Sequence, residues 1–165
     1  FLEETLTAWG HIRQGTIAEV ENIPADKFDF SPTPEMRSLH DLVVHILEVS
    51  YFAMNELPRP DTDVKRAPMK QLFQKYAKDA YEAKSKDDLV NLLKRQHEQG
   101  VDRYREFGDL GMWQSMKQFD GSEATKFQWW HHMLAEEMYH RGQIALYART
   151  MGIEPALTKM IRGAG

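Results

Sequence analysis

The sequence predicts an all-α fold, a four-helix bundle with one short additional helix, on three observations. Apolar residues recur at helical spacing in four medium or long segments, no stretch alternates convincingly as a strand does, and the segments break at proline and glycine. The 165 residues read as a single domain, 1–165, long enough to bury a core without disulfides.

The first helix spans residues 2 to about 21, with Leu2, Leu6, Trp9, Ile17 and Val20 on its apolar stripe. Arg13 interrupts that stripe, and its expected place is with the stem packed and the head reaching outward. Ile23-Pro24 through Pro32-Thr33-Pro34 cannot continue a helix and reads as a connecting loop. Ser38, with Asp41 three residues on, opens the second helix, whose inward stripe is Leu42, His45, Ile46, Val49 and Phe52. His45 is either a core histidine with one hydrogen bond or a ligand. Glu48 flanks it, as an acceptor for its other ring nitrogen or as an exposed acid, and His40 points away toward the surface.

The second helix stops before Leu57-Pro58, and a polar connection containing the pair Lys65-Arg66, expected to be solvated, runs to Pro68. Residues 69 to about 81 predict the shorter helix, with Leu72, Phe73, Tyr76 and Ala80 inward. Ser85 and Asp88 start the next, through Leu89, Leu93, His97, Val101 and Tyr104 to Phe107, and His97 falls on its core side. Gly108 to Gly121 is irregular but apolar, a cover over the core or a lid over a pocket, with the core cover expected. Thr125 with Gln128 marks the last long helix, which ends at Gly152 before Ile153-Glu154-Pro155, and the tail from Ala156 to Gly165 is too short for a domain.

That last helix places Trp129, Met133, Glu136, Glu137, His140, Ile144, Tyr147 and Met151 within one broad face, expected to be buried. Acids and a histidine among core residues need partners, and a cation is one such partner. Glu136 and His140 stand one helical turn apart, so both can converge on one ion, and His132 lies a turn further back. With His45 from the second helix they make a set suited to zinc, nickel or ferrous iron, with positions left open for water or substrate. The chain has no cysteine, so any metal must be held by histidines and carboxylates and catalysis by a cysteine of the protein is excluded; a thiol in the chemistry would come from a substrate.

A net charge of −4 argues against general nucleic-acid binding. No apolar run approaches bilayer length, and the start Phe1-Leu2-Glu3-Glu4 lacks the regions of a signal peptide, so a cytoplasmic location without membrane contact is expected.

The chain resembles the DinB/YfiT-like family of four-helix-bundle metalloproteins over nearly its whole length. The match runs through Trp9 and Arg13, Ile23-Pro24 to Phe30-Ser31-Pro32, Arg37-Ser38-Leu39-His40-Asp41-Leu42-Val43-Val44-His45-Ile46, Asp120-Gly121, and His140-Arg141-Gly142-Gln143-Ile144 on to Gly152-Ile153-Glu154-Pro155. The resemblance implies a metal held by three histidines, one on the second helix and two spaced four apart on the last. His45 and His140 match the first and third; the middle position is Glu136, a departure. A carboxylate can replace histidine at zinc or nickel, which implies a site of altered affinity and metal preference, or a lost one. The function the resemblance implies is metal-dependent transfer of a low-molecular-weight thiol, such as bacillithiol, mycothiol or glutathione, to a small electrophile, or metal-dependent hydrolysis, with His45, Glu136 and His140 as ligands. The alternative is a non-enzymatic bundle with a vestigial site that binds a small ligand. A homodimer is common in the family, and Leu134, Met138 and Ala145, placed off the core face, are compatible with one. Arg141 turns off the metal face and reads as structural or as part of that dimer contact.

Overall fold

A computed structural model describes residues 1–164, so Gly165, the last residue of the expected domain, lies outside the described residues. The chain folds as α1 (Leu2–Glu21), a 3-10 turn (Ala25–Lys27), α2 (Leu39–Glu56), α3 (Met69–Tyr76), α4 (Lys78–Glu82) and α5 (Lys86–Met112). A hairpin of β1 (Ser115–Lys117) and β2 (Glu123–Thr125) follows, then α6 (Lys126–Thr150) and α7 (Ala156–Gly163). The bundle consists of α1, α2, α5 and α6. Both α1 and α2 pack along α5 and α6, which places α1 diagonally across from α2.

Three helix starts form as the sequence predicts. Ser38 Oγ accepts from the Asp41 amide, Ser85 and Asp88 make a reciprocal capping box, and Thr125 Oγ1 accepts from the Gln128 amide, each answering amides the first turn leaves free. α6 ends at Gly152, whose φ of +75° turns the chain so that the Ile153 amide reaches back to the Ala148 carbonyl.

Several elements differ from the expectation. α5 does not stop at Phe107: Gly108, at φ +73°, kinks it, and the helix resumes to Met112. The apolar stretch after it forms a hairpin, too short for alternation to be visible, which buries Met116 but leaves Phe119 largely exposed. The segment 69–81 divides into α3 and α4 at Ala77. The tail is itself a helix: the buried Glu19 carboxylate accepts from the amides of Ala156 and Leu157 at 2.9 and 3.0 Å and anchors the start of α7. Lys65 and Arg66 are exposed, as expected, but the Arg66 guanidinium also grips the buried Glu56, with Nε to Oε2 at 2.8 Å.

The core has two apolar halves. One gathers Val20, Leu39, Val43, Leu47, Leu93 and Ile144; the other gathers Trp9, Phe52, Tyr104, Trp129, Trp130 and Met133. Packing in the second half is close enough that a Cβ at Gly100 would lie 2.5 Å from the Trp9 ring. Between the halves runs a polar layer, and here Arg13 departs from its expected outward pose. Its head is buried: Nε donates to Glu137 Oε1 at 2.7 Å, Nη2 to Glu137 Oε2 and Ser50 Oγ, and Nη1 to the Leu93 carbonyl and Gln96 Oε1. The reason is on α6, where Glu137 presents the matching carboxylate from across the bundle.

Candidate metal centre

Beside that layer, α2 and α6 bring three side chains to one point. His45 Nε2 lies 3.9 Å and His140 Nε2 3.3 Å from Glu136 Oε2. One ligand atom from each residue lies within 4.8 Å of the other two. Ligands bound at about 2.0–2.2 Å around one tetrahedral ion stand roughly 3–4 Å apart, and the two His–Glu separations fall in that range, so the three residues could hold one ion.

The outer ring nitrogens fix the orientation. His45 Nδ1 is 2.7 Å from Glu48 Oε2, and His140 Nδ1 is 2.7 Å from Gln143 Oε1. Both partners are acceptors, so each imidazole, when neutral, keeps its proton on Nδ1 and turns its Nε2 lone pair inward. Glu48, expected as an acceptor or as an exposed acid, is the acceptor. Burial alone would raise its pKa; hydrogen bonds from His45 and Tyr81 and the nearby Arg37 charge outweigh it and hold the carboxyl below its usual range. His140 is also held below its ordinary value, by burial first, with the charges of His45 and Arg37 adding to it, against the hydrogen bond to Gln143 and the charge of Glu136. A neutral, ligand-competent ring is the result.

One side of the set is closed and the other open. The His140 and His45 side chains are 6% and 16% exposed, and the Phe73 ring stands edge-on to His45 at 6.3 Å. Glu136, expected on the buried face, is 32% exposed and marks the mouth.

The other sequence candidates sit elsewhere. Glu137 belongs to Arg13; burial would raise its pKa, yet the Arg13 charge and hydrogen bonds hold it below the usual carboxylate range. His132 is exposed at the rim, its Nε2 3.9 Å from Glu136 Oε1. His97 packs at a tilt against Trp9, ring centroids 4.5 Å apart, away from the set; its Nε2 is buried without a partner, and burial holds its pKa low. His40 is half-buried rather than free at the surface, with Nε2 3.2 Å from the Ala83 carbonyl. Arg141 crosses onto α1, where a Cβ at Gly15 would lie 2.3 Å from its Nη1, so its place is a helix contact. Leu134 is buried against the second core half, whereas Met138 is about half exposed.

Three residues of the centre went unassigned in the sequence: Gln143, Phe73 and Tyr81. Gln143 carried a usable signal, because His140/Gln143 repeats the i, i+3 spacing of His45/Glu48. Phe73 and Tyr81 reach the site through tertiary contact alone. Tyr81 OH donates to Glu48 Oε1 from α4.

A model of the DinB family matches residues 2–164. No curated protein matches the chain. Among solved structures, a DinB-like protein of Bacillus subtilis, YjoA, superposes with a TM-score of 0.63 at 21% identity over 85% of each chain. YfiT from Bacillus subtilis, described as a probable metal-dependent hydrolase with an unusual four-helix bundle topology, gives 0.62 at 17% identity over 92% of this chain and 90% of its own. The mycothiol-dependent maleylpyruvate isomerase gives 0.67 at 16% identity, and the match covers 87% of this chain but 60% of the isomerase. At these identities the likeness establishes the fold.

Proposed function

The chain belongs to the DinB family, and from that premise we propose that it is a metal-dependent enzyme in which His45, Glu136 and His140 hold a zinc, nickel or ferrous ion. Its reaction is transfer of a low-molecular-weight thiol to a small electrophile. The observation that carries this reading is the convergence of the three ligand atoms within 4.8 Å, with an acceptor behind each histidine. When bound, the ion supplies Lewis acidity, which lowers the pKa of a thiol or of water.

The side chains perform the rest. Glu48 and Gln143 keep the two imidazoles in the ligand tautomer. Glu136 adds the negative charge that a third histidine would lack, favouring a harder cation. Phe73 walls one side against water, and the exposed carboxylate of Glu136 marks where substrate enters. With no cysteine in the chain, the nucleophilic sulfur belongs to the substrate, in keeping with the thiol in the isomerase's name. Hydrolysis is the second reading, supported by the description of YfiT.

A cytoplasmic setting, where small thiols stay reduced, suits this chemistry, and among the described residues no helix is long and apolar enough to cross a membrane. Self-association belongs to the same proposal. Ala8 and Ile12 of α1 with Leu134, Ala135 and Met138 of α6 line an open, mostly apolar groove of about 400 Å³ on the side away from the metal set.

The test is product analysis by mass spectrometry after incubating protein loaded with each ion, a small thiol and a panel of electrophiles. A conjugate that requires metal and vanishes in His45→Ala and His140→Ala supports the transferase. A hydrolysed product formed without thiol selects the hydrolase, and no turnover with any ion selects the non-enzymatic bundle.

A further inference from the structure

Between α2 and α5 the chain leaves the bundle for residues 57–85 and then returns, and two side chains of this excursion contact the same histidine unit. Phe73 of α3 sets its ring edge-on to His45 and to Phe52, at 6.3 and 5.7 Å. Tyr81 of α4 donates its hydroxyl to Glu48 Oε1, while Glu48 Oε2 takes the Nδ1 proton of His45 at 2.7 Å. We propose that Tyr81 is a positioning residue of the metal centre, and that through the chain Tyr81–Glu48–His45 occupancy of the centre orders α4. This rests on the metal-centre reading given above.

The geometry gives α4 need of such a link. It has five residues, little more than one turn, and a helix so short has almost no stability of its own. Its own Ala80 and its N-cap Ala77 are buried, but the Asp79–Arg95 pair at its side is solvated. Tyr81 is itself 44% exposed, so its ring contributes modest burial and its hydroxyl is the specific contact. That hydroxyl stays protonated and donating, because burial and the Glu48 carboxylate both push its pKa up.

An imidazole whose Nε2 is coordinated is a stronger donor at Nδ1, so its bond to Glu48 tightens, and a better-held Glu48 is a better-placed acceptor for Tyr81. Coupling of this kind is reciprocal: what metal does for α4, the Tyr81 contact does for metal affinity. α3 provides an internal control, since its end is fastened elsewhere. Tyr76 OH donates to Glu56 Oε1 at 2.5 Å, beside Arg66, with no part in the histidine unit.

The experiment compares wild type, Tyr81→Phe, Glu48→Gln and His140→Ala by hydrogen exchange with and without zinc, and by zinc affinity against a competing chelator. Tyr81→Phe keeps the ring and removes one hydroxyl, so the fold is retained. The expected result is that zinc slows exchange at residues 80–83 in wild type and not in Tyr81→Phe, with Tyr76 at the end of α3 unchanged in both. Zinc affinity falls about tenfold in Tyr81→Phe and at least as far in Glu48→Gln. Wild-type affinity in Tyr81→Phe, or zinc protection of 80–83 that survives the substitution, overturns the coupling and leaves the metal centre standing. Wild type that binds no more zinc than His140→Ala overturns both.

Discussion

Glu136 and Glu137 are neighbours on α6, and the bundle gives them opposite surroundings. The Glu137 side chain is 1% exposed, and both its oxygens are taken by Arg13, with Trp9 Nε1 adding a longer contact at 3.3 Å. Glu136, one residue earlier and 100° around the helix, is partly open to solvent and faces the Nε2 atoms of His45 and His140. Glu137 has a complete set of donors from within the chain. Glu136, His45 and His140 present acceptors to one another, an arrangement that becomes favourable when a cation lies among them. A sealed pair contributes to holding one fold together; an open set is available for chemistry.

The sharpest way to break this contrast is to remove one member of the sealed pair. Arg13→Ala or Glu137→Ala leaves an uncompensated buried charge and is expected to cost about 3–5 kcal/mol in denaturant unfolding. A loss near that of an exposed ion pair would mean that water reaches the layer. The open set should respond instead to its ligand. Zinc at a free concentration of a hundred times its Kd is expected to stabilise the protein by about 2.7 kcal/mol, a rise in Tm of roughly 5–10 °C. Calorimetry of His140→Ala should show no such rise.

Acid separates the two regions further. Glu137 has a depressed pKa, so its contribution is present above the unfolded carboxylate value of 4.5 and is lost as pH falls below it. His97 and His140 are depressed by burial, so the fold favours their neutral forms. Their contribution is full above the ordinary value of 6.5 and declines as pH falls toward the folded values. Urea midpoints measured from pH 7.5 to 3.5 are therefore expected to fall in two stages, and His97→Phe should flatten the upper one. The smallest effect belongs to Glu136→Ala in metal-free protein, within about 0.5 kcal/mol of wild type, because its carboxylate is solvated and gives up no hydrogen bond.

The convergence of the three candidate ligands was legible in the sequence because it is written in helix periodicity: His45 on the stripe of one helix, Glu136 and His140 a turn apart on another. Helix starts at Ser38, Ser85 and Thr125 were legible for the same local reason. What could not be read depends on partners distant in the chain. Arg13 carries no mark that its head turns inward, since the decision is made by Glu137, 124 residues away. Glu19 reveals its role only once α7 arrives at its carboxylate, 137 residues on. Tyr81 is an ordinary aromatic on a short helix until α4 is laid beside Glu48. The hairpin at 115–125 was missed because strands of three residues carry no period to detect.

The central claim is that Glu136, and not Glu137, completes a metal centre. It is tested most directly by elemental analysis of protein purified without a metal-affinity tag, soaked with zinc, nickel or ferrous ion and desalted, as wild type and as Glu136→Ala. The expected result is about one ion per chain in wild type and a small fraction of that in Glu136→Ala, with both proteins folded. Wild type that retains no ion, or Glu136→Ala that retains as much as wild type, would contradict it.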